Sequence, residues 1–235
     1  MRRPRNRIPG THVGSEEVNV MMHTGRPSAS RAGFTLVELL VVIGMIAILA
    51  GILLPVLGSA KERSQVNADK VTLANLSTAL GAYELDYQDY PPSTVDLVGI
   101  QGANPINQGS EVLVAVLSSS RKGSPYYEFS DDMLINTDDD RAKANLSAIT
   151  GGYNKAELYE ISDSFGNPFV YVHHRNYAKV GNAAKYRGED GLDATIECQK
   201  SEKTGEWQGM GSFQMWGFGP NMLNENGGGD DVVGW

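Results

Sequence analysis

From Phe34 to Leu54 the chain reads FTLVELLVVIGMIAILAGILL, apolar on every face except for one carboxylate, Glu38, near its start. Extended to Leu57, the run predicts a helix of about 36 Å at ~1.5 Å per residue, long enough to cross a hydrocarbon layer of ~30 Å. Beyond Pro55 the pattern turns amphipathic. Leu73, Leu76, Leu80, Tyr83 and Tyr87 recur at spacings of three and four, one stripe on a helix, with Asp69, Lys70, Asn75, Ser77, Glu84 and Asp86 between them on the polar side. One helix is therefore expected from about Phe34 to about Asp89, bent at Pro55 near the membrane surface. DYPPS, 89–93, ends it, because consecutive prolines remove N–H donors.

The remainder predicts short elements. EVLVAVL, 111–117, reads as a short helix, SPYYEF, 124–129, as a strand and NTDDDRAKAN, 136–145, as an acidic turn. Gly166, Asn167 and Pro168 make a bend before an alternating strand from Phe169 to His174. The last 23 residues, from Phe213 to Trp235, read as a strand, a glycine-rich acidic loop and a short terminal segment. The class is α+β: a long N-terminal helix, half transmembrane and half amphipathic, packed on a small antiparallel sheet. The organisation is a basic leader over 1–33, a membrane helix over 34–57, a spine helix over 58–89 and a globular head over 90–235.

Charge changes the picture of the membrane run. The net charge is −8, yet residues 1–33 hold six arginines against two glutamates, leaving −12 for the rest. A basic leader before an apolar run places the N-terminus in the cytoplasm and exports the acidic body. That leader is rich in Arg, Pro, Gly and Ser, without apolar period, and is expected to be disordered. It is also long: starts at Met21 or Met22 would leave a compact basic piece, with Met1 the alternative. An acidic body argues against a broad nucleic-acid-binding face. One cysteine, Cys198, excludes an intramolecular disulfide and is expected to be a small semi-buried apolar residue.

A secretory signal peptide has a shorter apolar core with its small-residue cleavage motif behind it. Here the small-residue motif, Arg31-Ala32-Gly33, lies in front. GFTLVELLVVIGMIAILAGILLP resembles the signature of the type IV prepilin and pseudopilin family, with Gly33, Phe34, Thr35, Leu36, Glu38 and Pro55 at the matching positions. The resemblance implies a type IV pilin-like fold, cleavage between Gly33 and Phe34 by a membrane prepilin peptidase, and N-methylation of Phe34. It also gives Glu38 an assembly role. A buried carboxylate costs roughly 2.5–3.5 kcal/mol in lipid, and the cationic amine of a neighbouring subunit's Phe34 would neutralise it. The alternative is a Glu38 that snorkels to the interface without a partner.

LGAYELDYQDYPPS, DSFGNPFVYVHH and the C-terminal stretch FQMWGFGPNMLNENGGGDDVVGW are similar to the major pseudopilin of type II secretion. That similarity implies a calcium loop with Asn221, Asp230 and Asp231 as candidate ligands. Asn221 stands where the family usually has an aspartate, and a solvated acidic loop without metal is the alternative. Gly227, Gly228 and Gly229 would let the backbone carbonyls turn inward. The Asp138–Asp140 run is read as exposed charge rather than a second cation site.

The partners implied are further copies of the chain in a filament, the prepilin peptidase, minor pseudopilins, an inner-membrane platform protein, a cytoplasmic secretion ATPase and membrane lipid, with no nucleic acid. The implied location is the inner membrane with the head in the periplasm. A type IV pilus or DNA-uptake filament shares every N-terminal feature, and an uncleaved single-pass anchor carrying a periplasmic binding domain is a third reading. Enzymatic readings lack support: NENGGGDD does not end in Gly-Lys-Ser/Thr, no nucleophile–base spacing stands out, and His173 and His174 would point to opposite faces of a strand. No cofactor other than calcium is expected.

Overall fold

The computed structural model describes residues 33–119, 121, 123–143, 156–179 and 184–235. The leader, including Arg31, Ala32 and the alternative start methionines, and positions 144–145 of the acidic turn lie outside the described residues. The described chain divides into two units, with the boundary between Leu49 and Ala50.

Helix α1, Leu36–Tyr87, is 52 residues long and continuous through Pro55. Pro55 has no N–H to offer the carbonyl of Gly51, four residues back. Its apolar first part leaves Leu36 to Leu57 exposed apart from the half-buried Ala50. In the second part, Leu73, Leu76, Ala79 and Leu80 are buried and Tyr83 is half-buried, as the stripe predicts, while Tyr87 at the end is exposed. One position departs from the expected polar side. Asp69 is buried, because its Oδ1 accepts hydrogen bonds from Ser164 N at 2.8 Å and Ser164 Oγ at 2.6 Å. A helix carboxylate that finds two donors tolerates burial that an unpaired one would resist.

After a 3-10 turn at Val95–Val98 comes α2, Gln108–Leu117, starting three residues earlier than the apolar run suggests. Strands β1, Leu134–Ile135, and β2, Glu160–Ile161, pair antiparallel. Strands β3, Val170–His173, β6, Phe213–Gly217, and β7, Val232–Val233, form a three-stranded antiparallel sheet in the order β3-β6-β7. Strands β4, Lys185–Arg187, and β5, Asp193–Thr195, form a separate hairpin.

The sheet is covered on both faces. Tyr171 opposite Met215 joins Leu73, Leu76, Leu80 and the α2 residues in one core. Val170 opposite Trp216 joins Tyr177, Tyr186, Ile196 and Phe218 in the other, with Cys198 partly buried against it. Burial pushes the Cys198 thiol up to about 12, so it behaves as the expected apolar filler. The antiparallel sheet and long helix match the α+β expectation.

Three expectations fail. SPYYEF does not form a strand: Tyr127 N donates to the carbonyl of Leu117 at 3.0 Å, and the Tyr127 ring lies tilted against Phe129 with centroids 4.7 Å apart. The Asp138–Asp140 run is not uniformly exposed, since Asp139 faces water, Asp138 is half-buried and Asp140 is buried. The rings of His173 and His174 do not diverge; their centroids lie 4.3 Å apart. The strand stops at His173 and a 3-10 turn begins at His174, which removes the alternation that separates neighbours on a strand.

Those two histidines and Asp89 offer ligand atoms within 4.8 Å of one another, but the chain satisfies them itself. His173 Nδ1 accepts from Arg175 N at 3.2 Å, so its Nε2–H donates to Asp89 Oδ1 at 3.1 Å. The Arg175 guanidinium holds Asp89 Oδ2 at 2.8 Å, and His174 Nδ1 bonds the Ser212 carbonyl at 3.1 Å.

Candidate functional site

Two segments carry the function-bearing residues. The first is the start of α1. Gly33, Phe34 and Thr35 lie ahead of the helix outside regular structure, and all three are exposed. Among the described residues no atom comes within 4 Å of where a Cβ on Gly33 would sit.

Helix entry is set by a reciprocal cap. Thr35 Oγ1 accepts from Glu38 N at 3.1 Å, and the Glu38 carboxylate accepts from Thr35 N at 2.9 Å and Thr35 Oγ1 at 2.8 Å. This is a capping box, which satisfies two of the four N–H groups orphaned at a helix start. Its signature, Thr-x-x-Glu before an apolar run, stands in the sequence. Glu38 is thus neither partnerless nor dedicated to another subunit in the single chain: one oxygen holds its own helix start. The aliphatic side chains that follow are exposed among the described residues, Leu36, Ile48 and Leu49 at 79%, 67% and 67%.

The second segment is the C-terminal loop between β6 and β7. Trp216 Nε1 donates to Asn224 Oδ1 at 3.0 Å, and Trp235 packs edge-on against Trp216 at 5.9 Å, so both ends are held by the sheet. Within it, Asp231 Oδ2 accepts from Glu225 N at 3.0 Å and Gly227 N at 2.7 Å. Its Oδ1 is buried and receives no donor. Glu225 Oε2 accepts from Asp230 N at 2.9 Å, and Asp230 Oδ2 from Asn221 N at 3.1 Å. Glu225, Asp230 and Asp231 bring carboxylate oxygens within 4.8 Å of one another. Burial, with Glu225 and Asp230 adding like charge, pushes the Asp231 carboxyl up to about 7.

Of the three residues named for this loop, the structure brings Asp230 and Asp231 together, adds Glu225 and keeps Asn221 beside them, its side chain against the Glu225 carboxylate. The side chain of Asn221 turns back on its own backbone, Oδ1 accepting from Leu223 N at 2.7 Å. Glu225 escapes sequence reasoning because its place depends on a turn at Gly229, where φ is +52° and a Cβ would lie 1.8 Å from Glu225 Oε2. Gly227 also has positive φ, whereas Gly228 does not. An orphaned buried oxygen beside converging carboxylates is a donor set that fits a hard cation such as calcium.

The prokaryotic N-terminal methylation motif matches residues 28–54. Among curated proteins, the chain is 29% identical to the type II secretion system core protein G of Escherichia coli K12 over 132 residues, 54% of this chain and 87% of that protein. It is 36% identical to competence protein ComGC of Halalkalibacterium halodurans over 80 residues, 33% of this chain and 74% of that one. It is 39% identical to the type IV wide pilus major component PilA4 of Thermus thermophilus over 71 residues, 29% of this chain, and spans only about half of that relative, 52%. No solved structure matches the chain.

Proposed function

The chain belongs to the type IV pilin-like proteins, structural subunits that carry the N-terminal methylation motif, and we propose that within them it is a pseudopilin of a type II secretion system. Cleavage after Gly33 and methylation at Phe34 would produce the mature subunit, anchored by the apolar part of α1 with the head on the periplasmic side. Subunits would then leave the bilayer by packing these helices together in a filament core, driven by a cytoplasmic ATPase and a platform protein.

The observation that supports this reading is the junction itself: exposed Gly33 and Phe34 ahead of the helix, a helix start locked by Thr35 and Glu38, and an apolar helix whose side chains are exposed. During assembly the Glu38 carboxylate would exchange its hold on Thr35 for the amine of a neighbouring subunit's Phe34, keeping a donor throughout. That exchange avoids the cost of an unpaired charge in lipid. The C-terminal loop would hold calcium through Glu225, Asp230 and Asp231, and the ion would supply the positive charge these three acids lack. Without it, the residues are left with a buried Asp231 oxygen that no donor reaches.

Secretion is favoured over a pilus because the likeness to the core protein G of E. coli covers 54% of this chain, against 29% and 33% for the pilus and competence relatives. Pilus or DNA-uptake function remains the second reading, supported by those same relatives. Intact-mass analysis of the chain from its native host tests the shared premise: a mature N-terminus at methylated Phe34 is expected, and a functional chain retaining residues before Phe34 would refute it. Deletion of the gene then separates the readings, since loss of exported proteins with intact surface fibres supports secretion and the reverse supports a pilus.

A further inference from the structure

A second group of acids lies inside the head, away from the C-terminal loop. Glu111 sits in the first turn of α2, Asp138 and Asp140 in the segment after β1, and Glu160 in β2. Glu111 is 1% exposed and Glu160 fully buried. Oxygens of Glu111, Asp138 and Glu160 all lie within 4.8 Å of one another, and Asp140 is close enough to raise the Glu111 carboxyl by its charge.

Glu160 and one oxygen of Asp140 are supplied by the chain. Glu160 Oε1 accepts from Asn107 Nδ2 at 2.9 Å and Oε2 from Thr137 N at 3.2 Å, and Asp140 Oδ2 accepts from Asn104 N at 3.0 Å. The others are not. Among the described residues no donor within ordinary hydrogen-bond limits reaches either oxygen of Glu111, either of Asp138 or Oδ1 of Asp140; Glu111 and Asp140 lie close enough to share a proton, and Asn104 and the Asp140 N–H bear on Asp138 from a distance. No lysine or arginine among the described residues pairs with any of the four acids. The guanidinium of Arg187, which bears on Asp138 by charge, is committed to Asp193 at 2.9 Å.

Burying four carboxylates together with so few donors and no paired cation is costly. Polar oxygens left unmet inside a fold mark a place where something else belongs. The chemistry of the group is specific: carboxylates, with neither histidine nor thiolate, which suits a hard divalent cation rather than zinc or copper. Oxygens on opposite sides of calcium, at ~2.3–2.6 Å each, lie about as far apart as the carboxylates of this group. We propose that Glu111, Asp138, Asp140 and Glu160 form a second, buried calcium site that ties α2, β2 and the segment after β1 into one head. The site stands independently of whether the filament serves secretion or a pilus, and independently of the C-terminal loop.

The test uses the full chain in detergent micelles, stripped with chelator, carrying Asp231→Asn to disable the loop. Titration with calcium chloride should give one bound ion, and calcium at about a hundredfold excess over Kd should raise Tm by roughly 5–10 °C. Adding Glu111→Gln, or separately Asp138→Asn, should abolish both responses. In chelator the Glu111→Gln chain should melt no lower than its parent, because a buried acid without donors has been neutralised, so a lost response is not a lost fold. Absence of calcium binding in the Asp231→Asn chain would overturn the proposal, as would a Glu111→Gln chain that still binds and responds. A magnesium chloride response equal to that of calcium would overturn the assignment to calcium.

Discussion

The two parts of α1 share one backbone and follow opposite rules. From Leu36 to Leu57 the side chains are, Glu38 apart, apolar all round and exposed among the described residues save the half-buried Ala50, whereas from Asp69 to Tyr83 a single stripe is apolar and the head buries it. A helix that is apolar all round must find its partner outside its chain, in lipid or in copies of itself; a helix with one apolar stripe needs only its own sheet. The difference places assembly in the first part and fold stability in the second, so a substitution in one should leave the property of the other unchanged.

The largest effect expected from this division is at Glu38. Glu38→Ala and Glu38→Gln should reduce filament assembly to background, as read by cross-linked multimers of the chain in its native host, while the head melts as in the wild type. Filaments at normal yield in both variants would remove the proposed contact with Phe34.

The next largest effect lies in the stripe. Leu76→Ala should cost the head about 2–5 kcal/mol by the usual penalty for a buried leucine, measured by thermal or denaturant melting, because Leu76 is fully buried. The same change at Leu49, 67% exposed, should leave the melt unmoved. Equal losses at the two positions would break the contrast.

A third prediction concerns pH. Asp163 organises the DSFGNP turn: Oδ1 accepts from Phe165 N and Asn167 N, and Oδ2 from Phe218 N. Burial nevertheless pushes its carboxyl up to about 6 against the pull of those donors. A carboxyl raised above its unfolded value of ~3.9 contributes stability that is complete below that value and is lost as pH rises through about 6, in total about 3 kcal/mol. In chelator, the wild-type head should therefore lose stability between pH 4 and 7 more steeply than Asp163→Asn. Parallel curves would show that Asp163 is not the titrating group.

The smallest effect is in the acidic loop. Gly229→Ala should cost about 1–2 kcal/mol, the price of a left-handed residue with a Cβ, and should displace the Glu225 carboxylate it would strike. Gly228→Ala, without positive φ, should shift stability by less than about 0.5 kcal/mol. Equal losses would mean the loop does not hold its acids by this turn.

Legibility followed sequence distance. Gly33, Phe34, Thr35 and Glu38 lie within six residues and act through one helix start, so the motif was readable, although its capping geometry went unnoticed. Leu73, Leu76 and Leu80 declared their face by spacing alone, and the Gly166-Asn167-Pro168 bend declared itself by its turn chemistry. Asp69 was misplaced because its donor, Ser164, is 95 residues away. The SPYYEF segment took β-favouring aromatics for a strand, while the end of α2 captured its backbone instead. In the C-terminal loop Asp230 and Asp231 were visible as neighbours, whereas Glu225 reaches them only through the turn at Gly229.

By itself, the sequence determined the long apolar helix, the N-terminal methylation motif at its start, the amphipathic spine and the α+β class, since each is written in hydrophobic period and local spacing that act over a few residues. Only the tertiary structure decided which acids share a space. Glu111, Asp138, Asp140 and Glu160 are spread over 50 positions, and burial, which turns solvated carboxylates into unmet ligands, exists only once the chain has closed around them.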